Sequence, residues 1–525
     1  MFNLFLPSIY EKIQTTNVST LTEQEKIRRE ALTALRELGI DPYPAKAFPV
    51  NTTAAEIKEN YSEERQEEFQ NIILSGRLMM KRVMGKASFA ELKDASGKIQ
   101  IYLNRDEIAP GEDKTMYNTV FKKLLDIGDY IGIKGYVFTT KVGEVTVRVQ
   151  ELTVLAKSLR PLPVVKKTVD PETGEEVTHD AFSNPELRYR RRYLDLIVND
   201  KVHETFVTRS RIISAMRRYF DDQGWLEVET PVLQSVQGGA AARPFKTHHN
   251  TLDMPYFLRI ANEIYLKKLI VGGFEGVYEI GKMFRNEGMD RTHNPEYTAM
   301  EIYVANKDYH WMMEMVEKLL ATICEQVLGT TKVTFGDQEL DFEGPYPRLS
   351  IYESIQKYGG IDVEHMDEDE IRAECKKRHL EVDASMGRGK LIDELFGELV
   401  EKNLIQPTYI IDYPIEMTPL AKKHREKEGL VERFELFVNG KEIANAYSEL
   451  NDPIDQRERF VEQLRLAERG DEEAMGMDED FLRALEYGMP PTSGLGIGID
   501  RLTMLLTNQS SIQEVIFFPQ MRKEQ

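Results

Sequence analysis

The feature that most constrains the fold is a polar loop between two alternating stretches, within residues 256–306. Successive side chains of a strand point to opposite faces, so alternation predicts a strand with one core face and one chemically active face. After the loop, the core set is Thr298, Met300, Ile302 and Val304, and the opposite set is Tyr297, Ala299, Glu301 and Tyr303. Before the loop, Arg285 and Glu287 place a guanidinium and a carboxylate where the chain leaves the sheet. A solvated edge hairpin is the alternative, but loops of such hairpins usually have about two to five residues.

A second hairpin of chemical interest is predicted within residues 433–450. Asn439 and Gly440 form a strong signal for a two-residue turn. The resulting register pairs Val438 with Lys441, Phe437 with Glu442, and Glu435 with Ala444. Glu435 and Glu442 then share one face, with side-chain roots about 7 to 8 Å apart. Two carboxylates at that separation can bind a hard cation such as Mg²⁺, whereas exposed cross-strand acids without a metal are the alternative.

The glycine-rich stretch 494–498 leads into a helical pattern that starts near Asp500 and Arg501. Its G-x-G-x-G spacing lacks the third glycine of a dinucleotide fingerprint and the Lys-Ser/Thr of a phosphate loop. Helix N-termini attract anions, and an arginine there adds a bidentate phosphate donor. The pattern therefore indicates a phosphate-binding helix start beside an antiparallel sheet.

Composition bounds the class of protein. The chain has 525 residues, of which 41% are hydrophobic and 30% charged, which predicts two or three domains and no membrane protein. The apolar opening 1–10 lacks a basic start, so we expect neither a signal peptide nor a membrane span. The only cysteines, Cys324 and Cys375, have no metal-ligand spacing, which suits a reducing cytoplasm and does not imply zinc. A net charge of -20 argues against a general nucleic-acid binder, so any RNA contact requires a local basic patch.

Such a patch is present in the N-terminal part of the chain. Between residues 72 and 155, five short alternating stretches with glycine-rich turns predict a small antiparallel barrel of the OB-fold type. Basic residues outnumber acids within residues 77–105, and Phe89 could supply a stacking platform for single-stranded RNA. A solvated barrel with Phe89 in its core is the alternative. Before the barrel, residues 21–39 predict a helix with an apolar stripe at Ile27, Leu32, Leu35 and Leu38.

These patterns divide the chain into four parts and predict an α+β fold. Residues 1–70 form a helical extension, 71–157 the barrel, and 158–185 a charged linker with an insertion. Residues 186–525 form a domain that includes a helical insertion at about 350–405. Its strands between 256 and 304, 408 and 449, and 494 and 499 would form one antiparallel sheet flanked by helices.

Three phrases carry a family resemblance. FRNEG at 284–288, the loop ending in HNPEYT at 293–298, and GLGIGIDR at 494–501 together resemble motifs 2 and 3 of class II aminoacyl-tRNA synthetases. The phrase GGAAARPF at 238–245 is similar to the lysyl family within that class. The resemblance covers residues from about 21 to 522. It implies ATP-dependent activation of L-lysine, transfer to tRNA(Lys), a homodimer and bound Mg²⁺.

The resemblance also implies roles for individual residues. Arg285 and Arg501 would be catalytic. The ATP-binding positions are Arg285, Glu287, His293, Tyr297 and Arg501. The lysine-binding positions are Gly239, Glu263, Glu301, Tyr303, Asn445, Tyr447 and Glu449. Glu435 and Glu442 match the metal ligands, and Phe89, Gln100 and Glu144 match the residues that read the anticodon.

Two points depart from this scheme. Strict alternation places Asn445, Tyr447 and Glu449 on the face opposite to the metal ligands, so we expect a β-bulge near Ala444. Arg291 lies one residue earlier in the loop than in one common family form, which puts its phosphate role in doubt.

Other functions stay open from sequence alone. An aspartyl or asparaginyl enzyme of the same fold requires cations or amides in its pocket, whereas this one offers acids. A protein-lysylating relative lacks the barrel. A non-catalytic RNA-binding paralogue would have lost Arg285, Arg501 or the acidic pair, all of which are present.

Overall fold

The computed structural model describes residues 21–163, 166–169, 176–179, 182–240, 242–383, 386–468 and 474–524. The chain forms two compact units, Met1–Phe182 and Ser183–Gln525. The apolar opening 1–10 and most of the predicted linker insertion lie outside the described residues. Two short strands of that linker, β6 and β7 below, pair as an antiparallel hairpin. No described helix is long and apolar enough to cross a lipid bilayer.

The first unit contains a closed five-stranded barrel with the strand order β1-β2-β3-β5-β4, which confirms the predicted OB-fold. Its apolar side chains point inward and form one core, into which Leu74, Leu92, Ile101 and Val147 are packed. The helices are α1 (Glu23–Glu37), α2 (Ala54–Asn60), α3 (Arg105–Ile108), a 3₁₀ helix (Glu63–Phe69) and a π-helix (Met116–Leu124). The strands are β1 (Ile72–Met84), β2 (Ala87–Lys93), β3 (Lys98–Asn104), β4 (Tyr130–Thr139), β5 (Val145–Ala156), β6 (Lys166–Val169) and β7 (Glu176–His179).

The buried face of α1 differs from the predicted apolar stripe. Ile27 and Leu38 are 43% and 44% exposed, whereas Arg28 is buried. The Arg28 guanidinium donates to the carbonyl oxygens of Ile127 and Ser158 at 2.9 and 3.0 Å. The helix therefore docks partly through charge-assisted hydrogen bonds, which an apolar periodicity does not reveal.

The second unit is built on an eight-stranded sheet with the order β16-β17-β18-β19-β20-β13-β12-β8. The strands from β17 to β12 are antiparallel, and the two edge strands pair in parallel with their neighbours. The strands of this sheet are β8 (Leu226–Glu227), β12 (Gly276–Phe284), β13 (Glu296–Ala305), β16 (Arg348–Ser350), β17 (Thr408–Pro414), β18 (Leu430–Val438), β19 (Lys441–Ser448) and β20 (Thr492–Gly498).

The remaining strands of this unit form two small sheets: β9 (Leu233–Gln234), β10 (Lys246–His249) and β11 (Met254–Leu258) in one, β14 (Lys332–Phe335) and β15 (Gln338–Asp341) in the other. The segment that starts at Tyr256 was expected in the large sheet, but β11 pairs with β9 and β10 instead.

Helices cover the sheet and fill the predicted insertion. The helices are α4 (Pro185–Arg190), α5 (Arg192–Val198), α6 (Asp200–Asp221), α7 (Glu263–Val271), α8 (Tyr309–Leu328), α9 (Ile351–Gly359), α10 (Glu368–Lys377), α11 (Arg388–Leu399), α12 (Pro453–Glu468), α13 (Glu479–Glu486) and α14 (Ile499–Leu506). Short 3₁₀ helices are Glu401–Asn403, Ile415–Met417 and Ile512–Glu514.

The alternation predicted for β13 is confirmed from Met300 onwards, whereas Thr298, which was expected in the core, lines the cavity. Met300, Ile302 and Val304 enter a core that also contains Met216 of α6 and Met312 of α8. The residues between them on the strand face a cavity on the other side of the sheet. One face of the central sheet therefore carries the core, and the opposite face carries the polar groups.

Candidate active site

A cavity of about 400 Å³ opens on the polar face of the central sheet. Its walls are contributed by β13, the β18–β19 hairpin and β20, together with the loop after β12. Most of the residues predicted for this unit line it. They are Gly239, Glu263, Arg285, Glu287, His293, Tyr297, Glu301, Tyr303, Glu435, Glu442, Asn445, Tyr447 and Arg501.

Arg285 marks one end of this cavity. Its guanidinium lies over the Tyr297 ring, with 5.4 Å from Cζ to the ring centroid. Its Nε atom is buried and has no hydrogen-bond partner among the described residues. A buried donor without an acceptor is costly, so this atom is suited to receive an anionic ligand such as a phosphate or a carboxylate.

The loop after β12 connects to Arg501 through an imidazole. His293 Nδ1 lies 2.8 Å from Oδ2 of Asp290, and His293 Nε2 lies 3.1 Å from Nη2 of Arg501. The Asp290 carboxylate also accepts from the amide nitrogens of Thr292 and His293, at 2.6 and 2.8 Å. Although partial burial opposes it, these hydrogen bonds hold the pKa of Asp290 well below its ordinary value. The carboxylate therefore stays ionised and holds the loop in shape.

Glycines form part of the cavity floor on β20. Gly494, Gly496 and Gly498 share one face of that strand. A Cβ atom on Gly494 would lie 2.1 Å from Glu449 Oε1, so that position is filled by a neighbouring side chain. At Gly496 the first atoms lie 3.8 Å away, and at Gly498 they also lie 3.8 Å away. The floor is thus closed at Gly494 and open at the other two positions, where a ligand can approach the backbone.

The β18–β19 hairpin contains the expected bulge. Val438 pairs with Lys441 and Phe437 with Glu442, as the turn predicts. Beyond them the register shifts by one residue at Ile443, so Glu435 lies opposite Asn445. The predicted pairing of Glu435 with Ala444 was therefore wrong by one position. The extra residue brings Asn445 and Tyr447 onto the face of Glu435 and Glu442, where all four line the cavity.

Arg433 is a cavity residue that the sequence analysis missed. Its guanidinium contacts Glu435 Oε1 and donates to Asn445 Oδ1 at 3.1 Å and to Thr418 Oγ1 at 2.8 Å. It also lies 4.5 Å from the Tyr413 ring centroid. Its position two residues before Glu435 on β18 gave the only signal, since residues i and i+2 of a strand share a face.

The proposed metal ligands form an acidic cluster with oxygen donors. Burial raises the pKa of Glu435 to about 7, Arg433 opposes this shift, and Glu442 and Asp393 add to it. Glu442 Oε2 lies 3.3 Å from Nη1 of Arg501. Carboxylates that repel one another are the donor set that a hard divalent cation prefers, so the residues fit Mg²⁺.

The other end of the cavity carries the carboxylates predicted to bind lysine. Glu301 accepts from Asn262 N at 3.3 Å and from the Tyr303 hydroxyl at 3.2 Å. Glu263 Oε2 accepts from the Tyr447 hydroxyl at 2.9 Å. Burial raises the pKa of Glu301 to about 8, and the nearby Glu263 adds to the shift. This end of the cavity has more carboxylates than cations, so a cationic ligand would offset the repulsion between them.

Gly239 closes one side of the amino-acid end. Its φ angle of 89° lies in the left-handed region that favours glycine, and an added Cβ would lie 3.1 Å from Ala261 Cβ. A side chain at this position would be strained and crowded.

Glu449 lies next to the cavity but does not line it. Its side chain is fully buried and forms an ion pair with Lys267, and its Oε1 atom occupies the space over Gly494. We expected Glu449 on the pocket wall with Asn445 and Tyr447. Its side chain does lie over Gly494, the partner of Tyr447, but its ion pair with Lys267 holds it behind the cavity wall.

In the barrel, the residues matched to anticodon reading lie near one another. Phe89 pairs with Tyr102 and Glu91 with Gln100, so Phe89 and Gln100 point to the outer face. Phe89 is half-buried, with its ring centroid 5.1 Å from that of Tyr102. Gln100 donates to Thr146 Oγ1 at 2.8 Å, and this hydroxyl donates to the Glu144 carbonyl at 3.1 Å.

A cation on the same face was not predicted from the sequence. The Arg148 guanidinium lies 5.4 Å from the Tyr102 ring centroid, and Arg148 pairs with Tyr102 across β3 and β5. Together with Phe89 these side chains form a surface of two rings tilted against each other and one cation, which suits single-stranded RNA.

Comparison with known proteins gives consistent matches. A family model described as tRNA synthetases class II (D, K and N) matches residues 184–522, and an OB-fold nucleic acid binding domain matches residues 72–155. A lysine–tRNA ligase of Porphyromonas gingivalis is 60% identical over 508 residues, covering 97% of this chain and 87% of that protein. One of Christiangramia forsetii is 62% identical over 505 residues, covering 96% and 87%. One of Azobacteroides pseudotrichonymphae is 55% identical over 504 residues, covering 96% and 99%.

Proposed function

Because the chain belongs to the lysine–tRNA ligase family of class II aminoacyl-tRNA synthetases, we propose that it activates L-lysine with ATP and transfers it to the 3′ end of tRNA(Lys). The reaction has two steps. A carboxylate oxygen of lysine attacks the α-phosphorus of ATP, and pyrophosphate leaves. A ribose hydroxyl at the tRNA 3′ end then attacks the carbonyl carbon of lysyl-adenylate, and AMP leaves.

The observation that carries this proposal is the opposite charge at the two ends of one cavity. Arg285 and Tyr297 lie near the loop, where the buried Nε donor of Arg285 has no acceptor among the described residues and can bind an anion. Glu301 lies four residues after Tyr297 on the same face of β13, towards the other end of the cavity. An amino acid with a carboxylate and a distal ammonium matches this order of charges. Aspartate or asparagine would leave the buried carboxylates without a cation.

Catalysis would come from positioning and charge stabilisation. Arg285 holds the lysine carboxylate and the α-phosphate, and its fixed donors stabilise the charge that develops at phosphorus. Arg501 holds the distal phosphates, His293 and Glu287 frame the nucleotide, and the Tyr297 ring stacks on the adenine. Glu435 and Glu442 would hold Mg²⁺, which neutralises phosphate charge when bound. The residues need no nucleophile of their own, because the substrate carboxylate supplies it.

The amino-acid end would select lysine by compensating its ammonium groups. Glu263 and Glu301 offer carboxylates to the cavity, and Tyr303, Tyr447 and Asn445 line the stem. Gly239 lets the backbone approach the substrate closely. The positive charge of a substrate ammonium in this pocket is fully compensated only when the acids are ionised.

In the barrel, we assign anticodon reading to Phe89 by stacking and to Gln100 and Glu144 by hydrogen bonding. The protein would carry out this work in the cytoplasm as a homodimer. Exposed apolar residues on the edge strand β8 and after it support the dimer, since Leu226 and Leu233 are each 47% exposed. Light scattering after size exclusion tests it, and a monomer at micromolar concentration would contradict it.

The activity is tested by ATP–pyrophosphate exchange with each of the twenty amino acids, followed by charging of tRNA(Lys). We expect exchange with lysine and at least about a hundredfold less with aspartate or asparagine, since an unpaired buried charge costs several kcal/mol. Preference for aspartate or asparagine would overturn the proposal.

A further inference from the structure

Lys267 is a buried cation that the proposed mechanism does not use. It lies on α7, one turn after Glu263, and its side chain is 0% exposed. Its Nζ atom donates to Glu263 Oε1 at 2.5 Å and forms an ion pair with Glu449. Three aromatic rings surround it, with centroids 6.0 Å from Nζ for Tyr303 and 5.8 Å for Tyr447 and Phe481. An ammonium so enclosed is stable only because both carboxylates compensate it.

Lys267 contacts the amino-acid end of the cavity only through other residues. Neither Lys267 nor Glu449 lines the cavity, whereas Glu263, Tyr303 and Tyr447 do. Glu263 uses Oε1 for Lys267 and Oε2 for the Tyr447 hydroxyl, so one contact fixes the direction of the other. Lys267 thus lies behind the substrate-facing layer and cannot itself touch the substrate.

The charges of this cluster suggest why the cation is there. Glu263, Glu301 and Glu449 together with Lys267 leave a formal excess of two negative charges. Arg259, a second cation near Glu301, is paired with Glu279. A free lysine brings two ammonium groups, while its carboxylate is assigned to Arg285. Without Lys267, Glu263 and Glu449 would lose the cation that both contact, and at least one of these two would bind a proton or turn away.

We propose that Lys267 is a positioning residue of the amino-acid pocket, which holds Glu263 on the cavity wall so that it can compensate the ammonium groups of lysine, while Glu449 anchors Lys267 behind that wall. This inference rests on the proposed function and assigns a further determinant of its substrate. It predicts a change in lysine binding opposite in direction to the change expected from Coulomb repulsion alone. Removing a positive charge near a cationic substrate should strengthen binding if only Coulomb repulsion matters, whereas loss of a positioning residue should weaken it.

The first test compares Lys267→Met with Lys268→Met in ATP–pyrophosphate exchange. Methionine keeps the length of the stem without the charge, and Lys268 is the adjacent, partly exposed lysine whose ion pair with Asp480 spans 2.9 Å. For Lys267→Met we expect the KM for lysine to rise by at least about tenfold, with the KM for ATP within about twofold of wild type. Breaking one side of a buried pair can cost much more than tenfold. Lys268→Met should leave both constants near wild type.

A second variant keeps the inference testable if Lys267→Met does not fold. The double variant Lys267→Met/Glu449→Gln removes both charges of the Lys267–Glu449 ion pair, so that Glu263 is the one acid that loses its partner. Because Lys267 contacts both Glu263 and Glu449, the double variant should lose less lysine affinity than the product of the two single losses, since substitutions of residues in contact are not additive. A lower or unchanged KM for lysine in Lys267→Met would overturn the inference. So would losses in the double variant that equal the product of the single losses.

Failure of the proposed function would be visible separately. It would appear as absent lysine-dependent exchange in the wild-type protein, before any variant is compared. Failure of the Lys267 inference requires an active wild type whose lysine affinity does not depend on Lys267 in the stated direction.

Discussion

His293 Nε2 accepts a hydrogen bond from Arg501 Nη2 across 3.1 Å, and this contact determines the tautomer of the imidazole. A guanidinium has donors only, so Nε2 must be the acceptor, and the proton lies on Nδ1. Nδ1 then donates to Asp290 Oδ2 at 2.8 Å. Asp290 thus orients, through one histidine, an arginine that we assign to the distal phosphates of ATP.

The first prediction follows from this chain of hydrogen bonds. In Asp290→Asn, the amide oxygen can still accept from the loop backbone, but the amide nitrogen would face Nδ1–H of His293. The imidazole then takes the other tautomer and turns an N–H towards Arg501. We expect the KM for ATP to rise by about ten- to a hundredfold, since hydrogen bonds to charged groups contribute about 1.5 to 3 kcal/mol.

Exchange kinetics at varied ATP and at varied lysine measure this effect, and the KM for lysine should change little. Asp253→Asn is a matched control, because Asp253 forms an exposed pair with His248 at 3.1 Å, and neither residue lines the cavity. Equal KM values for ATP in Asp290→Asn and wild type would show that the loop does not orient Arg501.

A second prediction concerns Arg285, whose buried Nε lacks a partner among the described residues. Arg285→Ala should slow lysine-dependent exchange by about a hundredfold or more, because a fixed donor to transition-state charge is lost. Its melting temperature and tRNA binding should stay near wild type. Arg291→Ala is the control, since Arg291 is exposed and does not line the cavity. Near-normal exchange in Arg285→Ala would contradict the assignment of Arg285 as a catalytic residue.

A third prediction separates two glycines of one strand. Gly494→Ala would place Cβ within 2.1 Å of Glu449 Oε1 and 2.3 Å of the Tyr303 ring, so the protein should lose stability. Gly496→Ala has its first neighbour at 3.8 Å, so its fold should tolerate the methyl group. The methyl group of Gly496→Ala enters the cavity, however, and should raise the KM for ATP or for lysine. Thermal melting should therefore show a lower melting temperature for Gly494→Ala, and exchange kinetics should show a raised KM for Gly496→Ala. Equal melting temperatures of the two variants would contradict the prediction for Gly494→Ala.

The hairpins show what alternation and turn chemistry could predict. Asn439 and Gly440 set the first two pairs correctly, since a two-residue turn leaves little choice of register. The position of the bulge was less determined. Ile443 and Ala444 are both apolar and both buried, so the sequence did not reveal which of them is the extra residue. The site depends on that one position, because it decides which side chain lies opposite Glu435.

Buried charges were harder to predict than apolar faces. Arg28 is compensated by carbonyl groups about a hundred residues later, and no local pattern contains that information. Lys267 follows Glu263 by four residues within the mostly apolar stretch of α7, which is a usable signal. Its second partner, Glu449, is distant in sequence, so only the fold brings the three together.

A fourth prediction concerns the barrel. Phe89→Ala should weaken tRNA(Lys) charging by about five- to a hundredfold, since stacking contributes roughly 1 to 3 kcal/mol per base, while lysine-dependent exchange stays unchanged. Tyr61→Ala is the control, because Tyr61 is also half-buried and pairs edge-to-face with Phe69 at 5.5 Å. It should reduce stability without a selective loss of charging. A parallel fall of charging and exchange in Phe89→Ala would mean that the ring serves the barrel core.

The last prediction uses the pH dependence of lysine binding. The pKa of Glu301 is raised to about 8, first by burial and then by Glu263, while its hydrogen bonds and Arg259 oppose the shift. Other titratable groups of the same pocket are Tyr303, Lys267 and Glu449. In the empty protein at pH 7, Glu301 is therefore mostly protonated. A cationic ligand favours the ionised form, so binding must release that proton.

The direction of the pH effect on lysine binding follows from this proton release. As the pH rises from about 6 to 8, the KM for lysine should fall by up to about tenfold per unit, and it should level off above the pKa of Glu301. Calorimetry at pH 7 in two buffers of different ionisation enthalpy should show release of close to one proton per lysine bound. Glu301→Gln cannot release that proton, so it should bind lysine more weakly and with a flatter pH profile. A KM for lysine that does not change with pH, in wild type and variant alike, would mean that Glu301 is already ionised before lysine arrives.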